Sequence, residues 1–582
     1  MADIKITHTT DRILLTSTDE KILPYGVSIT KADGLHYRLT NSEPLVGETI
    51  LSTTTIHGCL IGVINLLSGR YLMLATATSK VATLPGNHDI HRVDQVQLVP
   101  FVANQQSLIT IPVYDEEQAY LEMLNWIFKV ELFFFSFTTD ITHTRQRAFE
   151  QAASAQQQSD ARFFWNRSYI ANLADTCPAW VVPITMGFVD QKSFAYQGSN
   201  YRLTLISRRN MRRAGTRYNM RGADQQGNVA NNVETEQIFE LVNNSGKANY
   251  TSFVQIRGSV PLLWSQYPNL AWKSKVKFYR SDQDNTKAVA GHFGELQSLY
   301  GGKTTIVNLI DKKGDELRLG EAYEKHVGRI AQTPKYVWFD FHAICKGMRY
   351  DKLSLLIDLI KEDISRDGFL QVRDGQVVQR QQGIVRTNCI DNLDRTNVVQ
   401  SLVSRNCLER QLAALGVDVG TISSPAFNGV YKNMWADHAD NVSTQYSGTG
   451  ALKNDYTRTG KRGFPGVLKD GEHSAVRYYL NNFVDGFRQD AFDLLTGAYR
   501  LQPDVLKQPK HQSQIVWVLL VLVALCLAYS FVVPSTSSSI VSFLLFIVYW
   551  IGIIFIGTRF LKQNHNLIID RPSLVNPTDA YN

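Results

Sequence analysis

The segment GIVRTNCIDNLDRTNVVQSLVSRNCLERQL, residues 383–412, changes its periodicity partway along. Ile384 and Val385 close a short apolar run of strand character, whereas Val399, Leu402, Val403 and Leu412 recur at helical spacing up to Gly416. Cys389 opens the connection between the two, and Arg395 stands at the far end of it, immediately before the helix. The order is strand, C-x5-R loop, helix.

Such a loop can wrap its backbone N–H groups round a phosphate while the helix N-terminus adds its partial positive charge. The same field lowers a cysteine pKa, which makes a Cys389 thiolate available as nucleophile. Arg395 supplies a planar fork for two phosphate oxygens, and Thr396 is placed to donate a hydrogen bond to the thiolate. Asn388, Ile390, Asn392 and Leu393, with Arg386 just upstream, are the loop positions expected to touch a substrate. The spacing alone is weak, because a lone cysteine is more often a small core residue.

Asp391 and Asp394 lie inside the loop, although two like charges 4 Å apart repel by about 1 kcal/mol even in water. Asp394, next to Arg395, is the candidate general acid and Asp391 the second candidate. The competing reading makes one of them a helix cap or a brace for Arg395.

The chain has 582 residues, enough for two to four folded units, and an ordinary apolar and charged content. Its net charge of +7 suits nucleic acid and anionic membranes equally, but no nucleic-acid module is recognisable. Six cysteines without C-x2-C pairs argue against a zinc ribbon or a disulfide framework and suit a reducing compartment. His88 and His91 form an H-x-x-H without further ligands, so no metal is assigned. The start lacks the pattern of a signal peptide, as for a protein made in the cytosol.

Residues 515–533 and 540–557 carry no charge and reach about 28 and 27 Å as helices, enough to span a thin bilayer. Lys507, Lys510 and His511 before them, and Arg559 and Lys562 after, place both flanks in the cytosol by the positive-inside rule. The N-x-S/T sequences at Asn166, Asn243, Asn249 and Asn441 are then chance matches. The expected organisation is a β-rich first unit over 1–172, an α/β unit over 173–499, a linker over 500–514, a transmembrane helical hairpin over 515–557 and a cytosolic tail over 558–582.

RTNCIDNLDRTN, residues 386–397, resembles the Sac-domain (suppressor-of-actin) phosphoinositide phosphatases, whose motif is R-x-N-C-x-D-C-L-D-R-T-N. Eleven of the twelve positions fit, the departure being Asn392 in place of the second cysteine. SRRNMRRAGTRYNMRGADQQGNVANNVETEQI (207–238), SFVQIRGSVPLLWSQYPNL (252–270), WFDFHAICKGMRYDKLS (338–354), WADHADNVSTQYSGTGALKNDYTRTGKRG (435–463) and RYYLNNFVDGFRQDAFDLL (477–495) also look like stretches typical of that family. The resemblance covers about 160–499, with the preceding unit similar to the family's N-terminal Sac subdomain. It implies an α+β / α/β fold with a cysteine-phosphatase-like catalytic domain. The enzyme it implies needs no metal or other cofactor and hydrolyses phosphatidylinositol monophosphates, chiefly the 4-phosphate and also the 3-phosphate. The hairpin points to the integral membrane branch of the endoplasmic reticulum and Golgi.

Outside the loop, Arg208, Arg209, Arg212, Arg213, Arg217 and Arg221 read equally as an anionic-lipid surface or as ion pairs with Glu234 and Glu236. Arg458, Lys461 and Arg462 are expected to reach the inositol headgroup, and Asp340 and His342 end a strand where site residues gather. Two alternatives compete: a protein phosphatase using the same loop, and a catalytically weak phosphoinositide-binding protein of membrane contacts.

Overall fold

The computed structural model describes residues 3–32, 34, 36–39, 48–102, 105–130, 132–152, 158–196, 198–242, 247–331, 334–418, 424–460, 462–501, 521, 525–526 and 540–575. The strand Gly383–Asn388 is buried along its whole length. It lies in parallel between Lys303–Asn308 and the end of Asn249–Arg257, and Lys335–Trp338 adds a further parallel strand outside Lys303–Asn308. Its side chains alternate between two helical layers. Ile384 packs with Val289, Leu296 and Tyr323 of the helices Asp282–Tyr300 and Gly314–Val327. Val385 packs on the opposite face with Leu356, Ile360 and Val403 of the helices Leu353–Asp367 and Asp394–Ala414. Each such aliphatic side chain contributes roughly 1.5–3 kcal/mol by leaving water, so the strand is pinned from both sides.

The sheet continues as antiparallel strands. Asn249–Arg257, Val233–Val242, Ser199–Arg209 and Thr185–Tyr196 follow one another, then Phe133–Phe135, His88–Pro100, Arg70–Leu84 and Cys59–Asn65, in a sheet of thirteen strands among the described residues. The division expected near residue 172 falls between Phe133–Phe135 and Thr185–Tyr196, which pair directly. One apolar core runs across it, joining Met73 and Trp165 to Phe492 and Leu494. A separate five-stranded antiparallel sheet within residues 3–57 packs on the sheet's far end through Leu15, Leu60 and Trp180.

Among the described residues, no stretch of helix is long and apolar enough to cross a membrane. The first expected span, 515–533, lies outside them apart from Val521, Leu525 and Cys526. The second falls in the helix Ile540–Gln563, where the side chains of the first turn and of several later positions are not described. The chain beyond this helix returns to the folded body. Ile568, Ile569 and Leu574 are buried, the Asp570 N–H donates to Asn482 O at 2.8 Å, and the Ser573 and Leu574 N–H groups donate to the Asp490 carboxylate.

Candidate active site

The C-x5-R loop sits at the carboxyl end of Gly383–Asn388. Its helix, Asp394–Ala414, starts at Leu393 with no side-chain cap, so the free N–H groups of the first turn remain for an anion. Cys389 lines a cavity of about 210 Å³ together with Phe341, His342, Tyr350, Asp391, Asp394, Arg395, Val398, Leu452 and Lys453. Cys389 itself is 2% exposed.

Arg395 is held in place before any ligand arrives. Its Nη1 donates to Leu309 O at 2.9 Å, Asp311 Oδ1 at 2.9 Å and Glu316 Oε2 at 3.0 Å. Burial alone would lower its pKa, but Cys389, Glu316 and Asp311 raise it above the ordinary value, so the guanidinium stays charged. Asp311 also accepts from His342 Nδ1 at 2.9 Å, joining imidazole and guanidinium through one carboxylate. Burial would push the Asp311 pKa up, and the His342 hydrogen bond and Arg395 bring it below the carboxylate norm.

The two loop aspartates separate clearly. Asp391 is clamped by Arg217 Nη2 on one oxygen and Arg221 Nη2 on the other, both at 2.6 Å. Burial works against its ionisation, yet the two guanidiniums overcome it and hold the carboxyl far below the usual range. Asp391 is therefore a fixed anion and unsuited to giving a proton. Asp394 accepts the Leu452 N–H at 2.8 Å and Arg477 Nη1 at 3.2 Å, keeps 28% of its side chain exposed, and borders the cavity.

Several expected contacts are framework instead. Arg386 is fully buried and donates to Asn388 Oδ1 at 2.8 Å, to Ser259 O and to His292 Nε2 at 3.3 Å, bracing the strand beneath the loop. Asn388 in turn donates to Asn308 Oδ1 at 2.7 Å. Ile390 and Leu393 point into apolar clusters, and their carbonyls are held by Arg221 and Arg257. The buried Thr396 hydroxyl makes no hydrogen bond, to Cys389 or to any other described group.

Asn392 lies at φ +55°, a left-handed conformation that asparagine adopts more readily than most residues. Its Nδ2 donates to Asn231 O at 3.0 Å and its own carbonyl accepts from Arg257. The replacement of the second cysteine thus sits at a turn that suits asparagine.

Farther out, Asp340 caps the helix Phe341–Ile344 by accepting the Ala343 N–H and also accepts the Lys312 N–H, while its neighbour His342 faces the cavity. Arg458 pairs with Asp437 at 2.6 Å and Asp440 at 3.2 Å, and Arg462 pairs with Asp455 and Asp470, so neither lines the cavity. Lys461 lies outside the described residues. Of the arginine cluster, Arg208 is buried on Glu234 and Glu236, Arg209 donates to Gln445 O and Gly215 O, and Arg212 pairs with Glu295 at the surface. The lipid-surface reading of that cluster gives way to internal pairing, because Glu234 and Glu236 stand across from Arg208 and Ile206 on the neighbouring strand. No group of residues suited to hold a metal occurs among the described residues.

Sequence reasoning missed Asp311, Glu316, Lys453 and Arg477. Lys453 and Arg477 lie in stretches that resemble the family but no spacing gives them a role, Asp311 and Glu316 carry no motif, and each joins the loop only through the fold.

Comparison with known proteins identifies the family. The profile Syja_N, described as SacI homology domain, matches residues 58–346, and the C-x5-R loop lies beyond that match. The chain is 36% identical over 531 residues to phosphatidylinositol-3-phosphatase SAC1-A of Danio rerio, covering 89% of each. It is 39% identical over 494 residues to phosphatidylinositol-3-phosphatase SAC1 of Drosophila melanogaster, covering 82% of this chain and 81% of the relative. With phosphatidylinositol-3-phosphatase SAC1 of Saccharomyces cerevisiae the identity is 36% over 558 residues, 91% of this chain and 87% of the relative. Sharing that domain, and aligned over most of its length with these relatives, the chain belongs to the SacI-homology family of phosphoinositide phosphatases.

Proposed function

We propose that this chain removes phosphate from phosphatidylinositol monophosphates, the 4-phosphate first and the 3-phosphate also, through a cysteinyl-phosphate on Cys389. The observation that carries the reading is the union of Cys389, an uncapped helix N-terminus and a pre-positioned Arg395 round one cavity. The Cys389 sulfur attacks phosphorus, forming the S–P bond as the P–O bond to the inositol breaks. Asp394 gives the departing oxygen its proton; Asp391, clamped by two arginines, is not free to do so. Water then attacks phosphorus, the S–P bond breaks, and the cysteine leaves as thiolate with Asp394 accepting the proton from water. Arg395 has used Nη1 on the protein, so Nε and Nη2 are its donors for the phosphoryl oxygens.

The relatives are named for the 3-phosphate, and the preference for the 4-phosphate rests on the family resemblance of the loop and the outer segments. A membrane hairpin over 515–557, both termini in the cytosol, and residence in the endoplasmic reticulum and Golgi complete the reading. They are supported by the two uncharged stretches, their basic flanks, and the return of residues 568–574 to the folded body.

The test is phosphate release from vesicles carrying each phosphatidylinositol monophosphate in turn, with EDTA present, by the full chain and by Cys389→Ser. EDTA-resistant release that disappears in the variant is the expected result, and the ranking of isomers names the substrate. Release that survives Cys389→Ser would remove the cysteine mechanism; no release from any isomer by folded, vesicle-bound protein would favour a binding role.

A further inference from the structure

We propose that Trp272 and the outer side of the helix Phe464–Phe483 form a surface that seats in an anionic bilayer and turns the mouth of the C-x5-R cavity toward it. The proposal rests on the phosphoinositide reading for its substrate but not for its geometry.

The helix buries polar groups and exposes several apolar ones. Its buried positions, Arg477, Asn481 and Asn482, are polar, and Leu480 is half-buried beside Gly448. Gly466 sits so close to Asp455 that an added Cβ would lie 1.9 Å from the carboxylate; Asp470 accepts the Lys453 N–H and pairs with Arg462; buried Arg477 donates to Asp394, Thr449, Ser443 and Gly450. Its exposed positions include a run of apolar residues, with Phe464 74% exposed, Val467 49%, Leu468 59%, Val476 39% and Tyr479 56%, beside the exposed Lys469 and Glu472. A surface helix of a globular protein shows the opposite arrangement, and clustered exposed apolar groups mark a surface that meets something.

Three observations name the occupant as a membrane. First, the helix is tied to the cavity itself, since Asp470 fixes Lys453 and Arg477 fixes Asp394, and both Lys453 and Asp394 line it. The exposed apolar residues and two of the cavity's lining residues thus belong to one interlocked unit. Second, Trp272 is 69% exposed, stacks on Tyr478 of the helix with ring centroids 5.5 Å apart, and is followed by Lys273, paired to Glu316 at 2.9 Å, and by the exposed Lys275 and Lys277. An aromatic ring beside basic residues suits the interface of anionic lipids. Third, the chain leading out of the apolar helix Ile540–Gln563 is fastened at the same place. Asn482, near the helix end, accepts the Leu270 N–H on its side chain at 3.2 Å and the Asp570 N–H on its carbonyl at 2.8 Å, and Tyr478 donates to Leu270 O at 2.8 Å. The Trp272 loop, the end of the helix and the tail therefore meet at one node.

The experiment uses the full chain on vesicles of phosphatidylcholine, phosphatidylserine and phosphatidylinositol 4-phosphate. A photo-crosslinking amino acid replaces Leu468 in one preparation and, in the other, Leu359, which is 53% exposed on the helix Leu353–Asp367. Lipid labelled from position 468 and not from 359 is expected. Equal labelling from both, or labelling of protein alone from 468, overturns the proposal, and this readout stands whether or not the chain hydrolyses the lipid. In parallel, the triple variant Phe464→Ser, Val467→Ser, Leu468→Ser should lose about tenfold or more of its turnover on vesicle substrate while keeping its rate on a short-chain, water-soluble phosphatidylinositol 4-phosphate. An equal fall on both substrates would make the face a support for the cavity, and no fall on either would leave it without a membrane role; each contradicts the proposal. Crosslinking that succeeds with a chain inactive on every phosphoinositide would sink the phosphatase reading alone.

Discussion

Replacing Asp394 by asparagine tests the assignment of the proton donor at small structural cost. The amide keeps an oxygen for the Leu452 N–H, now at 2.8 Å, and loses the acceptor that Arg477 meets at 3.2 Å. That bond is long and the side chain is 28% exposed, so its loss costs about 1 kcal/mol, at or below the lower end for a hydrogen bond to a charged group. Arg477 retains Thr449, Ser443 and Gly450, so the segment it anchors stays in place. The chemistry should suffer far more. A positioned general acid is worth about 10²- to 10⁴-fold, or about 3–5 kcal/mol of barrier. The need for the proton depends on the leaving group, because an inositol oxygen leaves poorly as alkoxide and a nitrophenolate leaves well without help. Asp394→Asn is therefore expected to slow release from phosphatidylinositol 4-phosphate by at least about 10²-fold while slowing release from p-nitrophenyl phosphate only a few-fold. Single-turnover rates on both substrates, with thermal unfolding as a check on the fold, decide the matter. Equal losses on the two substrates would refute the role and leave Asp394 as a brace for Arg477.

Two further outcomes follow from the loop's construction. At pH 7, Asp391→Asn should cost about 3 kcal/mol in denaturant unfolding, because it strips charge from a pair of largely buried arginines; since the folded pKa of Asp391 is depressed, its contribution is present above the unfolded value of about 3.9 and lost as the pH falls below that, so the variant's acid limb should be flatter than the parent's. Asn392→Ala should be less stable than Asn392→Gly by about 1 kcal/mol, reversing the usual order, because the left-handed backbone at φ +55° strains alanine and not glycine; alanine equal to or better than glycine in the same unfolding assay would show that the turn relaxes.

The C-x5-R loop was readable because its information is local. Strand, loop and helix follow one another within 383–414, and period-two burial of Ile384 and Val385 against opposite layers is what the apolar run anticipates. The partners of the loop were not readable, because they arrive from positions far along the chain: Arg217 and Arg221 lie some 170 residues before Asp391, and Glu316 lies 79 before Arg395. Charge alone left the arginine cluster open and misled at Arg458 and Arg462, because a free and an ion-paired arginine have the same composition and only the facing strand or helix separates them. The polar segment 151–162 suggested a boundary nearby, yet pairing between Phe133–Phe135 and Thr185–Tyr196 carries the sheet past it. Asp340 and His342 are neighbours with different tasks, one capping a helix and the other facing the cavity, a division set by the turn between them.

In the proposed mechanism, the grip of Asp311 and Glu316 on Arg395 also bears on how the reaction ends. A bare guanidinium at the end of an anion-binding loop would hold inorganic phosphate as firmly as it holds the ester, and each cycle would stall on its own product. Here two carboxylates already share that charge, so the freed phosphate competes for a cation that has somewhere else to rest. An ester tethered to a lipid brings further contacts to offset the competition, whereas the free ion brings none, and the asymmetry drives the empty site to be restored.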